Sequence, residues 1–63
     1  MWHTIRGVAR ARRCDEEALV RYACEHKGKY HILPSGDEMR VHTWYVNELV
    51  DDFLLAQHKK GGL

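Results

Sequence analysis

Thr43-Trp-Tyr-Val-Asn-Glu-Leu-Val-Asp-Asp-Phe-Leu-Leu-Ala-Gln57 is the stretch on which the fold turns. Val46, Leu49, Val50, Phe53 and Leu54 recur at i, i+3, i+4, i+7 and i+8, the spacing that lays one apolar stripe along an amphipathic helix. Thr43 offers a cap at its start, and Lys59, Lys60 and Gly61 supply charge and a stop signal suited to its end. No other segment has so regular a period.

Upstream of this helix lie two short runs rich in β-formers, Lys29-Tyr-His-Ile-Leu33 and Glu38-Met-Arg-Val-His-Thr43. They flank Pro34-Ser-Gly-Asp37, which joins a fixed φ, a flexible glycine and an Asx-type side chain, so the reading is a β-hairpin. Alternation puts Tyr30 and Ile32 on one face and Met39 and Val41 on the matching face. A four-residue turn would pair position 33 with 38 and 31 with 40, setting His42 opposite Lys29 and leaving His31 and His42 as solvent-facing strand histidines. Since a lone hairpin is marginal in water, the last helix must pack across it.

Two more helices precede the hairpin. Trp2, Ile5, Val8 and Ala9 recur at helical spacing and predict a short helix near residues 4–12, weakened by Gly7. Asp15 is a good N-cap, followed by Glu16 and Glu17 at the positive end of the helix dipole. That second helix runs to about His26, with Ala18, Leu19, Tyr22, Ala23 and His26 on one face and Gly28 as its stop. The expected architecture is a small α+β single domain spanning 1–63, ordered α-α-β-β-α, with a two-stranded antiparallel hairpin packed on helices. Residues 1–3 and 60–63 are expected to fray.

Composition narrows the function classes. A chain of 63 residues has room for one core, because so short a chain buries only about 60% of its unfolded surface. Apolar residues make up 44% and charged residues 30%, with a net charge of +1, so no strong overall pull towards nucleic acid or membrane exists. The charge is unevenly placed. Arg6, Arg10, Arg12 and Arg13 lie in the first thirteen residues without an acid, whereas the other six basic groups face all nine acids, a balance of −3. No signal peptide and no long apolar run is seen, so a cytoplasmic protein with Cys14 and Cys24 reduced is expected, away from any membrane.

Neither a metal nor a cofactor is expected. Zinc ligands come in close pairs on tight turns, and Cys14, Cys24, His26, His31 and His42 form none; Cys24 and His26 on one helix would point about 200° apart. No nucleophile has a base at readable spacing and no glycine loop precedes a helix, so the chain does not read as an enzyme.

What remains are surfaces. Arg6, Arg10 and Arg13 fall at i, i+4 and i+7 and share one side of the first helix, presenting forked donors to carboxylate or phosphate. Glu48, Asp51 and Asp52 lie on the outer side of the last helix with Leu55 beside them, an acidic strip whose leucine could seed a partner contact or a homodimer. These seven residues are the candidate partner-binding set. The expected function is a non-enzymatic protein-binding regulator or inhibitor of the kind small phage-encoded proteins exemplify, acting through the basic helix face.

Val8-Ala-Arg-Ala-Arg-Arg-Cys-Asp-Glu-Glu-Ala-Leu19 also resembles the turn of a helix-turn-helix, and the hairpin and last helix resemble the wing and closing helix of small phage excisionases and related winged domains. The likeness spans about residues 7–54. It implies a winged DNA-binding protein that meets nucleic acid through the N-terminal arginines. Two departures stand out: Arg13 occupies the turn position usually held by glycine, and Asp15, Glu16 and Glu17 open the helix that would meet phosphates.

Overall fold

The computed structural model describes residues 1–35 and 38–61. The chain is an α+β fold ordered β1 (Trp2–Thr4), α1 (Ile5–Arg12), α2 (Glu16–Glu25), β2 (Leu33–Ser35), β3 (Glu38–His42) and α3 (Thr43–Gly61). The sheet has three strands, not two, in the order β1-β3-β2, with both neighbours antiparallel to the central β3. The N-terminal residues expected to fray are thus the start of an edge strand in which Trp2 pairs with His42 and Thr4 with Arg40. A run as short as Trp-His-Thr shows no alternation of its own, and Trp2 fits the helical spacing that follows it. Lys60 and Gly61, also expected to fray, lie within α3, and residues 62 and 63 fall outside the described part.

β1 is tied down at both ends. Thr43, the first residue of α3, donates its backbone N–H and its hydroxyl to the Met1 carbonyl at 2.9 and 2.8 Å. At the other end Thr4 turns the chain into α1, its hydroxyl accepting from the Gly7 N–H at 3.0 Å. Gly7 is therefore part of the start of α1: a Cβ there would stand 2.9 Å from the capping Thr4 Oγ1. Asp15 caps α2 as its sequence position implies, accepting from Ala18 at 3.2 Å.

The hairpin register also differs from expectation. Leu33 pairs with Arg40, Pro34 with Met39 and Ser35 with Glu38, leaving Gly36 and Asp37 between the strands, outside the described residues. The stretch from Lys29 to His31 forms turns, closed by Lys29 N–H to the His26 carbonyl and Ile32 N–H to the Lys27 carbonyl. His31 sits at φ 52°, the left-handed region, which breaks the strand and lets both Tyr30 and Ile32 enter the core. The proposed facing of His31 with Arg40, and of His42 with Lys29, is replaced by Leu33 with Arg40 and Trp2 with His42.

All six elements except β2 and the outer strand β1 contribute to one core: Ile5, Val8 and Ala9 from α1, Leu19 and Ala23 from α2, Val41 from β3, and Leu49, Val50 and Phe53 from α3, joined by Tyr30 and Ile32. Two expected core residues lie outside it. Trp2 is on the outer face of the sheet, opposite His42, and Leu54 is half exposed. None of the described helices is long and apolar enough to cross a membrane.

Phe53 is buried, and its ring meets that of Tyr22 edge-on at 5.8 Å, so it joins α3 to α2. Phe53→Ala is expected to cost about 3–5 kcal/mol, most of the stability of so small a domain. Urea unfolding checks this; a soluble variant with the wild-type midpoint would remove Phe53 from the core.

Candidate functional site

The arginine side of α1 is turned towards the start of α2. Arg6 Nη1 lies 3.6 Å from Glu16 and 3.8 Å from Glu17, and Arg10 Nε donates to Glu16 at 3.0 Å. These pairs are exposed and contribute little to stability. Their effect is on the surface field: two of the three candidate arginines and the two acids that open α2 offset one another. Arg12 donates from Nη2 to Asn47 Oδ1 on α3.

Arg13 serves first through its backbone. It holds the left-handed conformation at φ 58°, ψ 41° and closes α1, its N–H reaching the Arg10 carbonyl at 3.3 Å while Cys14 N–H reaches Ala9 at 2.8 Å. The turn from α1 to α2 is only three residues long, and its left-handed residue stands where a helix-turn-helix usually has glycine. The Arg13 side chain is exposed and forms no ion pair among the described residues.

On α3 the candidate acids divide. Asp52 is half-buried and engaged: Tyr30 donates its hydroxyl to Asp52 Oδ2 at 2.6 Å, and Lys29 Nζ stands 3.3 Å from the same oxygen. With its one proton given to Asp52, Tyr30 accepts from Tyr22 at 3.4 Å. The Tyr30 bond above all, then Lys29, holds the Asp52 carboxyl below its ordinary value. Burial first, with the neighbouring carboxylate adding to it, pushes the Tyr30 phenol well above its own. Asp52 therefore belongs to the internal scaffold.

Glu48, Asp51 and Leu55 face outward. At about 100° per residue, positions 44, 48, 51 and 55 fall within about 60° of one another on a helix. Trp44 thus heads the same stripe, and at 84% exposure it is the barest large apolar side chain among the described residues, with Leu55 at 61%. Sequence reasoning on the core period passes over Trp44, although the same arithmetic places it with Leu55. Neither Glu48 nor Asp51 is within ion-pair distance of a base among the described residues.

Trp44 is held at its root. The Trp44 backbone N–H lies 3.1 Å from His42 Nδ1 and the Met1 ammonium 3.2 Å from Nε2, and the imidazole packs edge-on against both Trp2 and Trp44 at 5.1 and 5.3 Å. Nearby, Thr43 gives its only hydroxyl proton to Met1 and so accepts from His3 Nε2 at 2.8 Å. These contacts fix the first turn of α3 and leave the Trp44 ring outside.

Clefts among the described residues lie between Thr4, Ile5, Val20 and Met39, between α2 and Phe53, and between Tyr22, Lys29, Asp52, Leu55, Ala56 and Lys59. Cys14 is half-buried and Cys24 exposed, both free thiols. Among the described residues, no three His, Cys, Asp or Glu side chains stand together as metal ligands would. No protein-family description, curated protein or solved structure matches the chain.

Because Asp52 is held below its ordinary value in the folded state, its contribution to stability is present at neutral pH and is lost as pH falls through the folded-state value. Tyr30→Phe removes the main cause. The variant is expected to unfold at lower urea than wild type at neutral pH, with the gap closing as Asp52 is protonated in acid. A gap unchanged across that range would show that the carboxylate is not what Tyr30 serves.

Proposed function

We propose that this protein is a non-enzymatic, protein-binding regulator or inhibitor, working in the cytoplasm with reduced thiols, and that the outer stripe of α3 is its principal contact. The observation that carries this reading is the exposure of Trp44 and Leu55 on one face of a helix whose opposite face is fully used by the core. Tryptophan concentrates binding energy at protein interfaces, and a small domain gains nothing in stability by holding one in water. The arginines of α1 form a second, weaker candidate contact, since Arg6 and Arg10 would have to leave Glu16 to reach a partner.

Affinity capture from the native host, with and without nuclease, tests the reading. A stoichiometric protein that survives nuclease is expected, and Trp44→Ala should cost about 2 kcal/mol or more of binding, while Arg6, Arg10 and Arg13 changed together to Gln should cost less. Binding that is indifferent to Trp44 and Leu55 would contradict it.

A second reading, a winged DNA-binding protein, is favoured by one observation: the three-residue turn with Arg13 in the left-handed conformation, followed by the β2–β3 ribbon. On this reading the clasp of Arg6 and Arg10 on Glu16 and Glu17 moderates the negative start of α2. Glu16→Gln with Glu17→Gln would then strengthen DNA binding, and the triple arginine change would flatten the logarithmic salt slope by about 0.9 per lost phosphate contact. A duplex titration at two salt concentrations decides between the readings.

A further inference from the structure

Resting on the protein-binding reading, we infer that the partner of α3 presents a groove with two apolar pockets about 16.5 Å apart and basic side chains between them, since Trp44 and Leu55 are eleven residues apart at about 1.5 Å per residue. Glu48 and Asp51 fall between these two anchors, on the same stripe. Both are exposed, and both lack an ion-pair partner among the described residues, in contrast to Asp52, Glu16 and Glu17. The stripe is therefore apolar, acidic, acidic, apolar, the pattern of a helix that lays itself into a groove with anchors at i and i+11 and a charge filter in the middle.

A second copy of the chain does not fit. In a symmetric antiparallel pairing of two such stripes, position 44 meets 55 and position 48 meets 51, so the apolar anchors match while four carboxylates collect at the centre. A parallel pairing sets Glu48 against Glu48 and Asp51 against Asp51. Like charges directly opposed in an interface cost several kcal/mol, so the acids act against self-association through this face. The chain's own arginine face is the weaker occupant, because Arg6 and Arg10 would have to leave Glu16 and Glu17 to reach the stripe. Charge complementarity leaves a different protein with lysine or arginine between its pockets.

The probes are two synthetic helical-hairpin peptides of the same leucine-lined groove, one edged with lysine and the other with glutamate, titrated into isotope-labelled protein and followed by NMR. The lysine-edged probe is expected to bind about tenfold or more tightly than the glutamate-edged one, with shifts centred on the Trp44 indole and the Leu55 methyls. Glu48→Lys with Asp51→Lys should reverse the preference, and Glu48→Gln with Asp51→Asn should abolish it; both pairs are exposed, and a dispersed spectrum confirms the fold. Equal binding of both probes through Trp44 and Leu55 would overturn the basic groove while leaving the protein-binding reading standing. Absence of any shift at Trp44 and Leu55 with either probe would overturn both.

Discussion

The Tyr30 hydroxyl is the polar contact that ties the loop after α2 to both α2 and α3. Tyr30 is the largest wholly buried side chain, and a phenol taken out of water must find a partner. It finds Asp52 on α3 and Tyr22 on α2, so a single polar contact joins the loop after α2 to both helices. That contact fits the rotation of α3 that the burial of Leu49, Val50 and Phe53 sets. With Asp52 turned to Tyr30 on one flank and Asn47 turned to Arg12 on the other, Leu49, Val50 and Phe53 are aimed inward and Trp44, Glu48, Asp51 and Leu55 can only face out.

Ion pairing then sorts the charges that the sequence scatters. The N-terminal arginines and the acids of α2 look like two opposed patches when read along the chain. In the fold they are neighbours across the α1–α2 corner, and the basic patch is partly spent there. The acids left without a base on the described surface of α3 are Glu48 and Asp51, between two exposed apolar side chains. Charge and apolar exposure therefore converge on one face, which is why a binding role is proposed for α3 ahead of α1.

The three helices, the inward faces of Met39 and Val41, and the cap at Asp15 were legible in the sequence because each rests on local periodicity or local hydrogen bonding, whereas Tyr30 and Ile32 are buried as expected but from a turn and not from the strand whose alternation pointed to them. β1 was not, since a three-residue edge strand is defined by its pairing with β3, a contact some forty residues away. The left-handed His31 interrupts the expected first strand, and the hairpin register lies two positions from the expected one. Of the candidate surface, Glu48, Asp51 and Leu55 follow from helical phase alone. The capture of Asp52 by Tyr30 and of Arg6 and Arg10 by Glu16 depends on side chains meeting across elements, which no spacing rule supplies.

On the proposed reading, the Trp44–Leu55 stripe is open in the isolated protein and covered by another protein in the cell. Hydroxyl-radical footprinting, read by mass spectrometry on the purified protein and on the same protein in extract of its native cells, tests this most directly. High reactivity at Trp44 and Leu55 and low reactivity at Phe53 and Val50 are expected in isolation, with Trp44 and Leu55 becoming protected in extract. Protection of Trp44 and Leu55 in dilute purified protein, or undiminished reactivity there in extract, would contradict it.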